Sequence, residues 1–121
     1  MKSNKTLVIG ASDDASRYSY MAINMLRSHN HEVVAIGNRP GKVLDVSFGK
    51  DKAEFEGVDT VTLYINPTRQ PDYYDYLLAL NPNRIIFNPG TENPELEQLA
   101  KARGITTVRA CTLVMLTTGQ Y

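Results

Sequence analysis

Apolar and polar positions recur along the chain with two different periods. Short β-branched runs fall at Thr6-Leu7-Val8-Ile9, Val33-Val34-Ala35-Ile36, Val58 to Ile65, Ile85-Ile86-Phe87 and Thr106-Thr107-Val108, and Gly, Asn or Pro bound them. Runs of this kind are characteristic of strands buried on both faces. Between them the period lengthens. Tyr18, Met21, Ala22, Met25, Leu26 and His29 recur three and four apart, as do Tyr73, Tyr74, Leu77 and Leu78, and then Leu96, Leu99 and Ala100. This spacing predicts three amphipathic helices. The third carries its own end marks: Asn93 can cap it, Pro94 suits its first turn, and Gly104 can take the left-handed conformation that stops it. Pro71 opens the middle helix in the same way.

Residues 38–57 break the pattern. Asn38-Arg39-Pro40-Gly41 forbids an immediate helix and Val43 to Phe48 reads as strand, so an irregular crossover with a short edge strand is expected there. Strand, helix, strand, irregular crossover, strand, helix, strand, helix, strand is the alternation of an α/β fold. It predicts a five-stranded parallel sheet between two helical layers, a three-layer sandwich. Numbered by their runs, the strands are expected in the order 3-2-1-4-5. Ligands of such sheets sit at the carboxyl ends of the strands where the order reverses, here the loops after strands one, two and four.

The length, 121 residues, sets the domain organisation at one domain, residues 1–121. Thirteen Lys and Arg balance thirteen Asp and Glu. The balance holds in each half of the chain, so nothing gives the one-sided basic surplus of a phosphate-backbone binder, and nucleic acid is not an expected partner. The single cysteine, Cys111, excludes an intrachain disulfide and a cysteine-based zinc site. Met-Lys-Ser-Asn-Lys at the start is too short for a signal-peptide core, and no apolar stretch approaches the ~20 residues of a membrane span. No membrane association and a cytoplasmic location are therefore expected.

The loop after strand one reads Gly10-Ala11-Ser12-Asp13-Asp14-Ala15, the dinucleotide fingerprint G-x-G-x-x-A with Ser12 in place of the second glycine. Gly10 permits the tight turn, and the following amides with the helix start near Ser16 offer donors and a positive dipole to a phosphate. A Cβ at Gly10 is expected to obstruct a pyrophosphate, so that Gly10→Val would fold but not bind. At the end of strand two an NAD site places a carboxylate for the ribose diol. Here the loop is Asn38-Arg39-Pro40-Gly41-Lys42. Its cations, Arg39 and Lys42, suit a ligand with an additional phosphate on the adenosine ribose, a feature shared by NADP and coenzyme A.

Gly10-Ala11-Ser12, Arg17-x-Ser19-Tyr20, Asn38 at the second strand end, Asn88-Pro89-Gly90 followed by Glu92-Asn93, and Cys111-Thr112-Leu113 together resemble the small bacterial CoA-binding domain proteins. These are similar to the nucleotide-binding domain of the succinyl-CoA synthetase alpha subunit, and the likeness spans roughly residues 5–116. The resemblance implies a Rossmann-like fold that holds CoA or acyl-CoA. It implies that Gly10, Ala11 and Ser12 face the phosphates, supported by Arg17 and Ser19. Asn38 and Lys42 would face the ribose and its phosphate, and Ile65 would flank the adenine. The family's Asn-Pro after strand two is Asn38-Arg39-Pro40 here, and its closing Cys-Pro is Cys111-Thr112.

Asn88, Pro89 and Gly90 form a turn by composition, and their position at the ligand edge offers them to the pantetheine arm. His29 and His31 fall at the opposite edge and are expected to be structural rather than metal ligands. Asp13 and Asp14 read as helix-start caps, Cys111 as a small buried hydrophobe, and Tyr73, Tyr74 and Tyr76 as packing or a dimer face. The expectation is thus a CoA-binding carrier, sensor or accessory subunit with no catalytic residue and no metal of its own, working alone, as a homodimer or with a partner subunit. Its rivals are an NADP-binding oxidoreductase and the nucleotide-binding subunit of a split acyl-CoA ligase.

Overall fold

The computed structural model describes residues 5–121. Met1 to Asn4, where the opening segment was read against a signal peptide, lie outside the described residues. The chain runs β1 (Lys5–Ala11), α1 (Tyr18–Ser28), β2 (Val33–Gly37), β3 (Gly41–Val43), β4 (Val46–Phe48), β5 (Val58–Leu63), α2 (Tyr74–Leu80), β6 (Arg84–Phe87), α3 (Pro94–Lys101), β7 (Thr106–Arg109) and α4 (Thr112–Thr117). A 3-10 turn, Gln70–Tyr73, leads into α2.

Five strands form one parallel sheet in the order β2-β1-β5-β6-β7. Alternation along each strand divides the core. Leu7 and Ile9 pack with Val61, Leu63, Ile85 and Phe87 beneath Leu77 and Leu96 of α2 and α3. Val8, on the other face, packs with Ala35 beneath Ile23 and Leu26 of α1 and Leu116 of α4. Both faces of the sheet are covered, as parallel strands require, and the fold is Rossmann-like. The end marks of α3 act as read: Asn93 Oδ1 accepts from the Glu95 and Leu96 amides at 3.1 and 3.3 Å, and Gly104 closes the helix at φ +76°.

The strand order needs correction. The third long strand, β5, does not lie outside β2; it pairs with β1 on the side away from β2, with Leu7 opposite both Val34 and Val61. In the order of the sequence runs the sheet is 2-1-3-4-5 rather than 3-2-1-4-5. The cause is the crossover. Residues 41–48 make an antiparallel hairpin, β3 with β4, whose exit lies along the outer edge of β2. There the Gly37 amide donates to the Gly49 carbonyl at 2.9 Å and Ile36 bridges Gly49 in parallel. The edge that the expected order gave to strand three is therefore occupied, and the apolar run from Val58 fills the other side of β1. The segment after β7, where the sequence pattern predicts no helix, forms α4, which lies against α1 on that face.

Candidate functional site

With this order the reversal point lies between β1 and β5, so the loops after β1, β2 and β5 meet at the carboxyl edge. They enclose a cleft of about 560 Å³, within the range of about 300 to 1,000 Å³ usual for small-molecule sites, lined among others by Gly10, Ser12, Arg17, Asn38, Ile65 and Arg69.

Gly10 sits at φ +95°, and a Cβ there would stand 2.9 Å from the Tyr64 carbonyl carbon and oxygen and 3.0 Å from Ile65 Cγ2. The turn after β1 is thus pressed onto the end of β5, where the Tyr64 amide donates to the Ile9 carbonyl at 2.8 Å. This corrects the reading of Gly10: its strictness comes from the protein's own backbone, and a valine would strain the fold before it met any ligand. Past the turn, the Asp14 amide donates to Ser12 Oγ at 3.0 Å, and Asp14 accepts from the Ser16 amide at 3.0 Å and the Ser16 hydroxyl at 2.7 Å. Those two bonds hold the Asp14 carboxyl below the usual carboxylate range. The reading of Asp13 and Asp14 as helix-start caps is thereby corrected: Asp14 closes the turn ahead of α1 through Ser16, Asp13 lines the cleft, and neither caps the helix, whose N-cap is Arg17. Arg17, the N-cap residue of α1, makes no side-chain cap hydrogen bond, so the first amides of the helix face the loop with their positive dipole end.

Three arginines line the cleft against one carboxylate, Asp13. Arg17 stands 4.0 Å from Asp14 and Arg39 stands 3.9 Å from Asp13. Arg69 has no ion pair among the described residues; its guanidinium donates instead to Asn38 Oδ1. Phe48 of the hairpin forms part of the wall, its ring against Gly37 and Gly41. The Tyr64 ring borders the cleft while its hydroxyl turns inward beside Thr112 and Thr62, without a well-formed hydrogen bond, and burial pushes it up to about 12. Tyr64 therefore stays a neutral phenol at physiological pH.

Of the residues read from sequence, Gly10, Ala11, Ser12, Arg17, Ser19, Asn38, Arg39, Ile65 and Pro89 come together around this cleft. Lys42, Asn88 and Gly90 do not. Lys42 is exposed on the hairpin, opposite Ser47 and near Asp45. Asn88 is only 2% exposed, and its side chain is fully used: Nδ2 donates to Thr62 Oγ1 at 2.7 Å and to the Leu63 carbonyl at 2.9 Å, and Oδ1 accepts from the Thr112 amide at 2.9 Å. Gly90 is exposed at φ +91° with its amide on Glu92 Oε1. Sequence reasoning missed Tyr64 and Arg69. The wrong strand order hid them, because it moved the loop after β5 away from the reversal point.

Cys111 is half-buried rather than a core residue; it precedes α4 and lies outside the cleft lining. His31 packs edge-on against the Tyr121 ring at 4.8 Å, and burial lowers its pKa. His29 closes α1 through the Met25 carbonyl at 2.8 Å. Among the described residues no cluster of His, Cys, Asp or Glu could hold a metal ion, and no helix is long and apolar enough to cross a membrane.

Residues 4–117 match a family model described as a CoA binding domain. A solved crystal structure of an uncharacterized protein is 48% identical, with 100% of both chains covered and a TM-score of 0.95. A protein from Thermus thermophilus is 23% identical over 97% of this chain and 90% of its own, with a TM-score of 0.85. A hypothetical protein from Pyrococcus horikoshii is 19% identical over 96% of this chain and 83% of its own, with a TM-score of 0.87. The last two show likeness of fold alone. No curated protein matches the chain.

Proposed function

The chain belongs to the CoA-binding domain family, and from that premise we propose that its cleft holds coenzyme A or an acyl-CoA as a binding module without catalysis of its own. The observation that carries this reading is the end of β2. Its own residues at the cleft, Asn38 and Arg39, include no carboxylate, and the one carboxylate beside them, Asp13 of the loop after β1, faces Arg39, which disfavours the ribose diol of NAD and favours a ribose that bears phosphate.

In this reading the pyrophosphate rests on the Gly10 to Ser12 turn and the uncapped start of α1, with Arg17 and Ser19 beside it. The adenosine lies between the loops after β2 and β5, with Ile65 against the adenine and Asn38 at the ribose. The pantetheine arm leaves past Pro89. What supports a binding role over a catalytic one is the position of the reactive groups. His29 and His31 flank the start of β2, at the edge away from the cleft, and Cys111 has no histidine as base. A carrier, sensor or accessory subunit of an acyl-CoA process needs only the cleft.

The test is mass spectrometry of small molecules released from the natively purified chain. Coenzyme A or an acyl-CoA is the expected mass. NADP in its place would replace this reading with an oxidoreductase, the rival that shares the turn and the cationic loop.

A further inference from the structure

Arg17 and Arg39 each face a carboxylate, at 4.0 and 3.9 Å, whereas Arg69 lines the same cleft with no ion pair among the described residues. Its position is built. The Arg69 amide donates to the Asn66 carbonyl at 3.1 Å and to Asn66 Oδ1 at 3.2 Å. The next residue, Gln70, is 0% exposed; its Nε2 donates to the Ile65 and Thr91 carbonyls at 3.1 and 2.8 Å, and its Oε1 accepts from Asn93 Nδ2 at 2.9 Å. A backbone pinned on both sides thus displays a guanidinium, and that guanidinium reaches across to Asn38 Oδ1. A neutral amide can orient an arginine without neutralising it, and an oriented planar donor fork is suited to a phosphate.

Its location says which phosphate. The turn after β1 and the start of α1 serve a pyrophosphate, and the loop after β2 serves the ribose; Arg69 is bonded to Asn38 of that second loop. We propose that Arg69, oriented by Asn38, is the residue that reads the ribose 3'-phosphate of the bound coenzyme A, in the role first assigned to Lys42. This rests on the CoA reading above. Lys42 is turned to solvent on the hairpin, opposite Ser47 and near Asp45, and Arg39 is 79% exposed and offset by Asp13.

The experiment is titration calorimetry of the full chain and of Arg69→Gln and Lys42→Gln, each with CoA and with dephospho-CoA, after circular dichroism shows the variants folded. The wild type is expected to prefer CoA by about tenfold to a hundredfold, the worth of a charge-assisted phosphate contact. Arg69→Gln should erase that preference while binding dephospho-CoA as the wild type does, and Lys42→Gln should keep it. A preference that survives in Arg69→Gln, or an equal loss for both ligands, overturns the role of Arg69. So does a wild type that binds both ligands equally, which leaves the CoA reading standing. A wild type that binds neither ligand fails that reading itself.

Discussion

At the β6 end of the sheet's carboxyl edge, Asn88, Gln70 and Asn93 are buried and use their amides on one another and on backbone. At the β2, β1 and β5 end, Arg17, Asn38, Arg39 and Arg69 stand exposed around a cleft. Both ends are built from turn residues rich in Asn, Pro and Gly, and both follow parallel strands. The difference lies in what surrounds them. Around Asn88, which is buried, the first residue of α4 brings the Thr112 amide against it, so every donor and acceptor must be met within the protein. The loops after β1 and β2 instead present exposed side chains, Arg17, Asn38 and Arg39 among them, to the cleft, where an anion can meet them. One half of the edge braces the fold and the other presents a surface; Gln70 and Arg69, adjacent in sequence, are the point where the two meet.

This contrast can be broken by substitution. The largest effect is expected from Gly10→Val, which forces a β-branched residue to φ +95° with its Cβ 2.9 Å from the Tyr64 carbonyl. Backbone strain and overpacking together should cost about 4 kcal/mol, read as a lowered denaturant midpoint; a variant as stable as the parent would show that the turn is not pressed on β5. Asn88→Ala should follow at about 3 kcal/mol, because it orphans the buried Thr112 amide and removes two further bonds. If Asn88 belonged to the presenting half, its loss would instead weaken ligand binding and leave stability untouched.

A smaller effect is expected at Glu97, which is buried on α3 and accepts from Arg109 at 2.7 and 3.1 Å. Those bonds hold the Glu97 carboxyl below its usual 4.5. The unfolded chain therefore takes up the proton first as pH falls. The stabilisation is complete above about pH 4.5 and is lost as pH drops through the lowered folded value. With Arg109 half exposed the pair is worth about 1 kcal/mol or less. Glu97→Gln should be less stable than the parent by that amount in thermal melts at pH 7 and indistinguishable from it in strong acid. A difference that persists in acid would assign the effect to packing rather than charge.

Much of this architecture was legible in the chain. The β-branched runs mark β1, β2, β5, β6 and β7, and Asn93, Pro94 and Gly104 mark the ends of α3, because caps and buried strands depend on local chemistry. Strand order was not, since it is decided by where the chain goes between β2 and β5. The hairpin of Gly41 to Phe48 takes the edge of β2 through a few backbone bonds that leave no apolar signature. From that one error came the omission of Tyr64 and Arg69. The misplacement of Asn88 has a different origin, because an asparagine in a turn reads alike whether it faces a ligand or a buried amide. The helix α4 was hidden by its brevity, six residues from Thr112 to Thr117.

The central claim is that the presenting half of the edge is a coenzyme A site, and competition at equilibrium tests it most directly. Calorimetry of the full chain with CoA, repeated with NADP and with NAD already present in excess, is expected to show one CoA bound per chain with neither dinucleotide displacing it. Displacement of CoA by NADP, or the absence of any saturable heat with CoA, would contradict the account.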